Sequence, residues 1–343
     1  MTVAAPLPRV RTLPPAVAVV LGFGGAAAMA LAVAVRAPLA TMVLGLIGFG
    51  VLHNVLELRY VAGRFGAVLR GPLLGTLLGL VTGIVICRLL GLRVPEIVLA
   101  YGVLAAGVGH AASGRWRVLA LGGLAVAAAV SLTWPSYHFV VLAHLHNIVP
   151  LFFLWEWSRR LGARDRLLFR ATQVGWVLVV PALLLAGAFD RVIAAGPSAV
   201  AAFAGPPGVI AAPVVPAGLA GMDIGLRFLA VFAFLQTMHY VVWVGFLPRY
   251  APDAAAELEA RVPWLTGRRA WALGIGAAMV LGLLLWADYA QGRTIYQALA
   301  SYHAYLEFPV LLALLFGARS AGTAIGAPQG APGTALARGV QGA

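Results

Sequence analysis

Apolar runs long enough to cross a membrane, joined by short arginine-bearing connections, are the dominant pattern along this chain. After the arm MTVAAPLPRVRTLPP, with Arg9 and Arg11, about 20 apolar residues lead to Arg36. That run exceeds the h-region of a signal peptide and is expected to be retained as a first span. Further runs at approximately 38–58, 72–92, 94–113, 117–134, 136–158, 171–189, 224–247, 270–288 and 297–317 bring the prediction to ten spans. The expected fold is an all-α polytopic membrane helical bundle, one transmembrane domain over 1–317. The remaining 318–343, too poor in large apolar residues to fold, is expected to be a disordered tail. The connection 190–223 is rich in Gly, Pro and Ala and reads as a loose loop, with a lid on the outer surface as the alternative. Segment 250–269 carries Asp253, Glu257 and Glu259 before Arg261 and predicts a short interfacial helix with Trp264 at headgroup depth. No internal repeat of about 20–50 residues is visible, nor an inverted repeat of the transporter kind.

Composition agrees with that class. At 343 residues, 62% hydrophobic and 10% charged, with a mean hydropathy of +0.94, the chain is too apolar for a soluble domain of its length. Its net charge of +13 comes from 24 arginines and no lysine, placed between apolar runs rather than along a face that could track phosphates. Nucleic acid is therefore not an expected partner, whereas anionic lipids at the cytoplasmic face are. With the N-terminus in the cytoplasm, only Arg36, Arg88, Arg93, Arg191, Arg227 and Arg293 fall outside, leaving 18 of the 24 inside. The positive-inside rule thus places both termini and the 159–170 loop in the cytoplasm, in a bacterial-type inner membrane. Cys87 is the only cysteine, which excludes an intrachain disulfide or a thiolate cluster. A metal would have to rest on His, Glu, Asp or Asn.

The polar residues inside the spans carry the candidate chemistry. His53, His110, the trio His138, His144 and His146, His239 and His303 fall in spans two, four, six, eight and ten, and the odd spans have none. The even spans are therefore expected to form an inner layer around one polar site, with the odd ones largely facing lipid. Two of them repeat a spacing, His53/Glu57 in HNVLE and His303/Glu307 in HAYLE, which puts each pair on one helix face as two ligands or as a ligand and its orienting carboxylate. Span eight places Gln236, His239 and Trp243 on one face, with Tyr240 beside them. In span six, His144 and His146 lie about 200° apart on an ideal helix, so either Pro150 distorts the backbone or the two serve opposite sides.

At about 1.5 Å per residue, His144, His146, His239, His303 and Glu307 fall about 15–24 Å above the cytoplasmic boundary, within reach of one site. His53 joins them only if span two continues to Arg64. Blander roles compete at several positions. His110, near the cytoplasmic edge, reads as a packing residue; His138, beside Tyr137, is equally served by an interfacial hydrogen bond; Glu57, before Arg59 and Tyr60, equally serves as a boundary anchor. Trp155, Trp157, Trp243 and Trp286 need only belt or packing roles. Glu307 is different, since a mid-span carboxylate costs a few kcal/mol at least unless paired or metal-bound. The candidate ligands are His53, His138, His144, His146, His239 and His303, and the candidate catalytic groups are Glu57, Glu307 and Tyr240.

At Tyr137-His138-Phe139, His53, His239 and His303 the chain resembles the bacterial membrane β-carotene 15,15′-dioxygenases. The resemblance implies non-haem iron on His53, His138, His239 and His303 and a carotenoid substrate. The Gly and downstream Asp that accompany the histidines of that family are not present here. The string VVLAHLHN is similar to the His-x-His span of haem–copper oxidases, whose two histidines serve different haems; that family's other copper ligands are not recognisable here. From the residues themselves, imidazole and carboxylate ligands without thiolate suit iron, non-haem or haem. The expected function is an iron-dependent membrane oxidoreductase acting on a lipid-soluble substrate, an isoprenoid or a lipid, with a redox partner the sequence does not name. The alternatives are a transporter or proton-coupled channel using the same His/Glu residues, and a haem-binding electron carrier.

Overall fold

The computed structural model of this protein describes residues 16–194 and 198–317. The expectations for Arg9, Arg11, Arg319, Arg338 and a disordered tail over 318–343 lie outside the described residues. Among those described, every regular element is helical, and ten helical runs are long and apolar enough to cross a membrane. They are Val17–Arg36, Pro38–Arg64, Gly71–Leu89, Arg93–Ala111, Gly114–Thr133, Pro135–Arg160, Ala163–Leu185, Asp223–Tyr250, Gly267–Ala287 and Tyr289–Phe316. The punctuation is chemical. Pro38, Pro72 and Pro135 open their helices where a missing N–H costs nothing, and Gly91 and Gly114, with φ of 71° and 52°, make turns that side chains with a Cβ rarely adopt. The chain is a multi-pass membrane helical bundle.

Three boundaries differ from the hydropathy reading because polar residues there find partners and stay helical. Span two runs on to Arg64, with Arg59 paired to Glu259 and Arg64 to Glu156 at 2.8 Å. Span seven starts at Ala163, its Arg170 donating to Ser158 at 2.9 Å. Span ten starts at Tyr289, where the Asp288 carboxylate accepts the Gln291 N–H at 3.0 Å.

Burial sorts the spans. Within each most apolar window 67% of span eight, 50% of span ten and 44% of span two are buried, against 22% for spans one, three and nine and 6% for span five. The expected inner layer of even spans is therefore present, with span seven as buried as four and six. Span nine packs on two, three and four pack on ten, and one packs on eight. Ion pairs mark the two ends of the bundle. Arg59–Glu259, Arg64–Glu156 and Arg160–Asp253 lie at one end, Arg88–Glu96 and Arg227–Asp190 at the other, so the even spans all run toward the first, arginine-rich end.

The described part of segment 190–223, residues 190–194 and 198–223, is not a loose loop but nearer the alternative, a lid. It folds into short helices, Ala201–Ala204 and Pro207–Ala211, and a turn at Ala217–Leu219, burying Val200, Ile210, Val214 and Val215 against Leu39, Met42 and Leu285. These apolar residues are too scattered to give a helical period, which is why the pattern read as loop. The interfacial helix predicted in 250–269 is present at Ala256–Arg261, with Trp264 exposed.

Span six is broken between His146 and Pro150. Because Pro150 has no N–H for the His146 carbonyl, the chain tightens to i−3 bonds, Ile148 to Leu145 at 2.9 Å and Val149 to His146 at 3.2 Å, before helix resumes. Wider π turns occur at Gly175–Val179 in span seven and at Val241–Phe246 just after His239 and Tyr240 in span eight.

Candidate metal centre

Four imidazoles from four even spans close into a ring. His53 lies 4.9 Å from His239, His239 is 4.7 Å from His146, His146 is 5.0 Å from His303, and His303 is 5.0 Å from His53, centroid to centroid. Ligand nitrogens of His53, His146 and His239 all lie within 4.8 Å of one another, as do ligand atoms of His53, Glu57 and His303. His53, His239 and His303 are at most 2% exposed, and both glutamates are fully buried. The extension of span two to Arg64 places His53 at this depth.

Local bonding aims the rings inward. The Nδ1 of His53 lies 3.0 Å from the Phe49 carbonyl one turn back, so it carries the proton and leaves the Nε2 lone pair facing the ring centre. Glu307 Oε2 stands 3.2 Å from His146 Nδ1, and Glu57 Oε2 stands 3.7 Å from His239 Nε2. The i, i+4 pairs thus interlock crosswise, each carboxylate reaching a histidine of another span. Neither contact is a formed hydrogen bond, but each brings a carboxylate beside an imidazole, the neighbours from which carboxylate–histidine–metal units are built.

The polar atoms here lack ordinary partners. Both oxygens of Glu57 and of Glu307, Nε2 of His53, both ring nitrogens of His239 and Nδ1 of His303 are buried without a hydrogen-bond partner. Each such atom costs about 1–3 kcal/mol, more when charged, so this concentration in one place points to a bound group, a cation or ordered water. A small cation fits. The Nε2 atoms of His146 and His303 are 3.2 Å apart, and with imidazole–metal bonds of about 2.1 Å they subtend about 100° at a shared ion. Haem does not fit between these rings, since four imidazoles within 5.0 Å of their neighbours leave no plane for a macrocycle.

The other candidates lie elsewhere. His144 points to the opposite side of the helix from His146, where its Nε2 donates to the Val214 carbonyl at 2.9 Å and its ring packs on Phe228 and Phe232. It fastens segment 198–223, the cover of the site, and is not a ligand of this cluster. His138 bonds Ser131 Oγ at 3.0 Å near Tyr101, outside the ring, and His110 is exposed. Tyr240 lies 4.8 Å from His53, its hydroxyl accepting from Gln236 Nε2 at 2.9 Å, beside the cluster rather than in it.

A cavity of about 610 Å³ opens onto all four histidines. It runs toward the Arg88–Glu96 end between Leu46, Phe139, Val140 and Phe232, and the cover closes over it through Ala212, Pro213, Val214, Val215 and Ala217. On the arginine-rich side the cluster is floored by Tyr60, Phe153 and Trp243, whose centroids lie 5.2–6.0 Å apart in edge-on contacts. The sequence reading puts Trp243 on the His239 face, gives it and Tyr60 only packing or boundary roles, and counts Arg293 only for topology, without joining them to the site. Tyr60 and Trp243 stand one turn, and Phe153 two turns, beyond Glu57, His239 and His146, a register that could have found them.

No protein-family model, no curated protein and no solved structure matches the chain, so its functional reading rests on this geometry.

Proposed function

We propose that this chain is a membrane-embedded, iron-dependent oxidoreductase acting on a lipid-soluble substrate. The observation that carries the reading is the ring of four histidines and two interlocked carboxylates at the inner end of a largely apolar cavity. Nitrogen and carboxylate donors without thiolate suit Fe(II), which when bound supplies oxygen activation and one-electron chemistry. His53, His146, His239 and His303 would hold it. Glu307 keeps His146 oriented, and the Glu57 carboxylate beside His239 is placed to take up or return a proton at Oε2. The apolar part of the cavity wall, Leu46, Phe139, Val140 and Phe232, suits an apolar molecule beside the cluster.

A transporter would use the same residues as a proton relay. The floor of Tyr60, Phe153 and Trp243 weighs against that reading, because it puts three packed rings across the route from the cluster to the arginine-rich end. An electron carrier built on haem is disfavoured by the ring spacing. We place the arginine-rich end in the cytoplasm of a bacterial-type inner membrane, which reporter fusions in segments 159–170 and 190–223 would test. Elemental analysis and an absorption spectrum of the purified protein test the main reading. Iron near one per chain with no Soret band is expected; protein prepared from iron-replete cells without stoichiometric transition metal would overturn it.

A further inference from the structure

Two cationic groups lining the cavity, Arg93 at its mouth and Arg293 deeper in, have no ionic partner among the described residues. Arg88 is neutralised by Glu96, but Arg293, which also lines the cavity, makes a single hydrogen bond, Nη1 to the Ile210 carbonyl at 3.3 Å, and no carboxylate among the described residues reaches it. A guanidinium has five donors, so most of its capacity faces the cavity unspent. Arg93, at the mouth, has no ion pair among the described residues either, so the charged lining is Arg88, Arg93 and Arg293 against Glu96. Arg293 is partly buried near the start of span ten, at the Arg88–Glu96 end of the cavity, where an unpaired guanidinium can take an anion.

Arg293 also stands on the same helix as His303. Arg293, Tyr296, Ala300 and His303 all line the cavity at i, i+3, i+7 and i+10, one continuous face. Ten residues at about 1.5 Å per residue set the cation about 15 Å from the histidine ring. The lining between them combines apolar residues, Leu46, Phe139, Val140 and Phe232, with Tyr296 and Gln236.

The geometry points to an amphiphilic ligand with an anionic oxygen headgroup, carboxylate or phosphate ester, held by Arg293 with its apolar chain extending to the histidine cluster. With C–C bonds of about 1.5 Å at tetrahedral angles, roughly ten carbons cover the distance. The inference names the substrate class of the oxidoreductase proposed above and rests on that reading for the chemistry, but the anion site stands on Arg293 alone and is tested by binding.

The test is equilibrium binding of radiolabelled decanoate, decyl phosphate and decanol to the purified full chain in nonionic detergent. One or both anions should bind at least about tenfold more tightly than decanol, and whichever does identifies the headgroup. Arg293→Gln should level the anions with decanol while metal content and elution volume stay unchanged. Stripping the metal with a chelator should leave the preference intact, whereas an anion bound to the metal itself would be lost. A second variant, Ala300→Phe, fills the passage between Arg293 and His303 and should weaken decanoate while sparing hexanoate, which tests the proposal even if Arg293→Gln does not fold. Equal binding of all three ligands, an anion preference that survives Arg293→Gln or disappears with the metal, or no chain-length effect of Ala300→Phe would overturn it. Absence of iron with the anion preference retained would instead count against the oxidoreductase and leave the anion site standing.

Discussion

His146 and His303, 157 positions apart in the chain, bring their Nε2 atoms to 3.2 Å. Two imidazole nitrogens held that close share either one proton or one cation, and the neighbouring unpartnered atoms favour the cation. Replacing either histidine with Ala should lower bound metal by about tenfold or more, with elution and helicity near normal, because ten packed spans outweigh one site in holding the fold. His144→Ala should keep full metal and instead loosen the cover, seen as faster proteolysis within 198–223. Elemental analysis of the three variants decides the point, and full metal in both His146→Ala and His303→Ala would reduce the ring to packing.

Glu57 and Glu307 are expected to act as a unit with the histidines they face. Single Gln replacements should each remove most turnover, and the double replacement should cost little more. Glu307→Gln is the sharper change, since it keeps volume and hydrogen bonding but removes the charge beside His146 Nδ1. Normal metal content and normal turnover in that variant would remove Glu307 from the site, while additive stability losses with activity retained would make both glutamates anchors of separate helices.

Gly63 is where span two meets the 252–255 turn. A Cβ there would sit 2.3 Å from the Ala254 carbonyl oxygen and 2.7 Å from Ala255 Cα, both backbone atoms that cannot swing aside. Gly63→Ala should therefore destabilise the protein by about 1–3 kcal/mol and disturb the Arg160–Asp253 pair nearby. Thermal unfolding indistinguishable from the parent would show that the turn yields freely.

The Arg160–Asp253 pair supplies a pH-dependent contribution. Partial burial pushes the Asp253 carboxyl up, but two hydrogen bonds and the charge of Arg160 outweigh this and hold it below the usual aspartate range. A folded value below the unfolded one, near 3.9, means that the contribution is fully present above about pH 4 and fades as pH falls through the folded value. Asp253 is largely exposed, so the effect should stay under about 1 kcal/mol. Asp253→Asn should melt slightly below the parent at pH 7 and together with it below about pH 3; a gap that widens in acid would reverse the assignment.

Much of this arrangement could be read from the chain. Hydropathy alone found the ten spans, and the restriction of histidine to even spans singled out the inner layer and brought His53, His146, His239 and His303 into one list. His144 stays in the same list because Pro150 leaves open whether the helix distorts enough to bring it beside His146; the break falls after His146, so the two serve opposite sides. The crosswise pairing of Glu57 with His239 and Glu307 with His146 was hidden because an i, i+4 spacing advertises only the partner on its own helix. Over 190–223 the pattern favours a loop over a lid because Val200, Ile210, Val214 and Val215 reach the core from turns and one short helix, too little regular structure for a period to show.

The interruption of span six after His146 gives the ring unequal mechanical stiffness. His53 and His303 stand on helices that run on past them on both sides, and His239 sits two residues before a π turn within a continuous span, whereas His146 is the last residue of a rod that ends in a hinge. An ion of larger or smaller radius would be met mainly by displacement of His146. The site is thus most compliant at that corner. Discrimination among divalent ions by size would accordingly be weak, and choice of metal would fall to donor chemistry and to whichever ion the cell supplies during folding. X-ray absorption on protein loaded with different ions would show this as one metal–nitrogen distance that varies while the rest hold, and equal variation of all would place the compliance elsewhere.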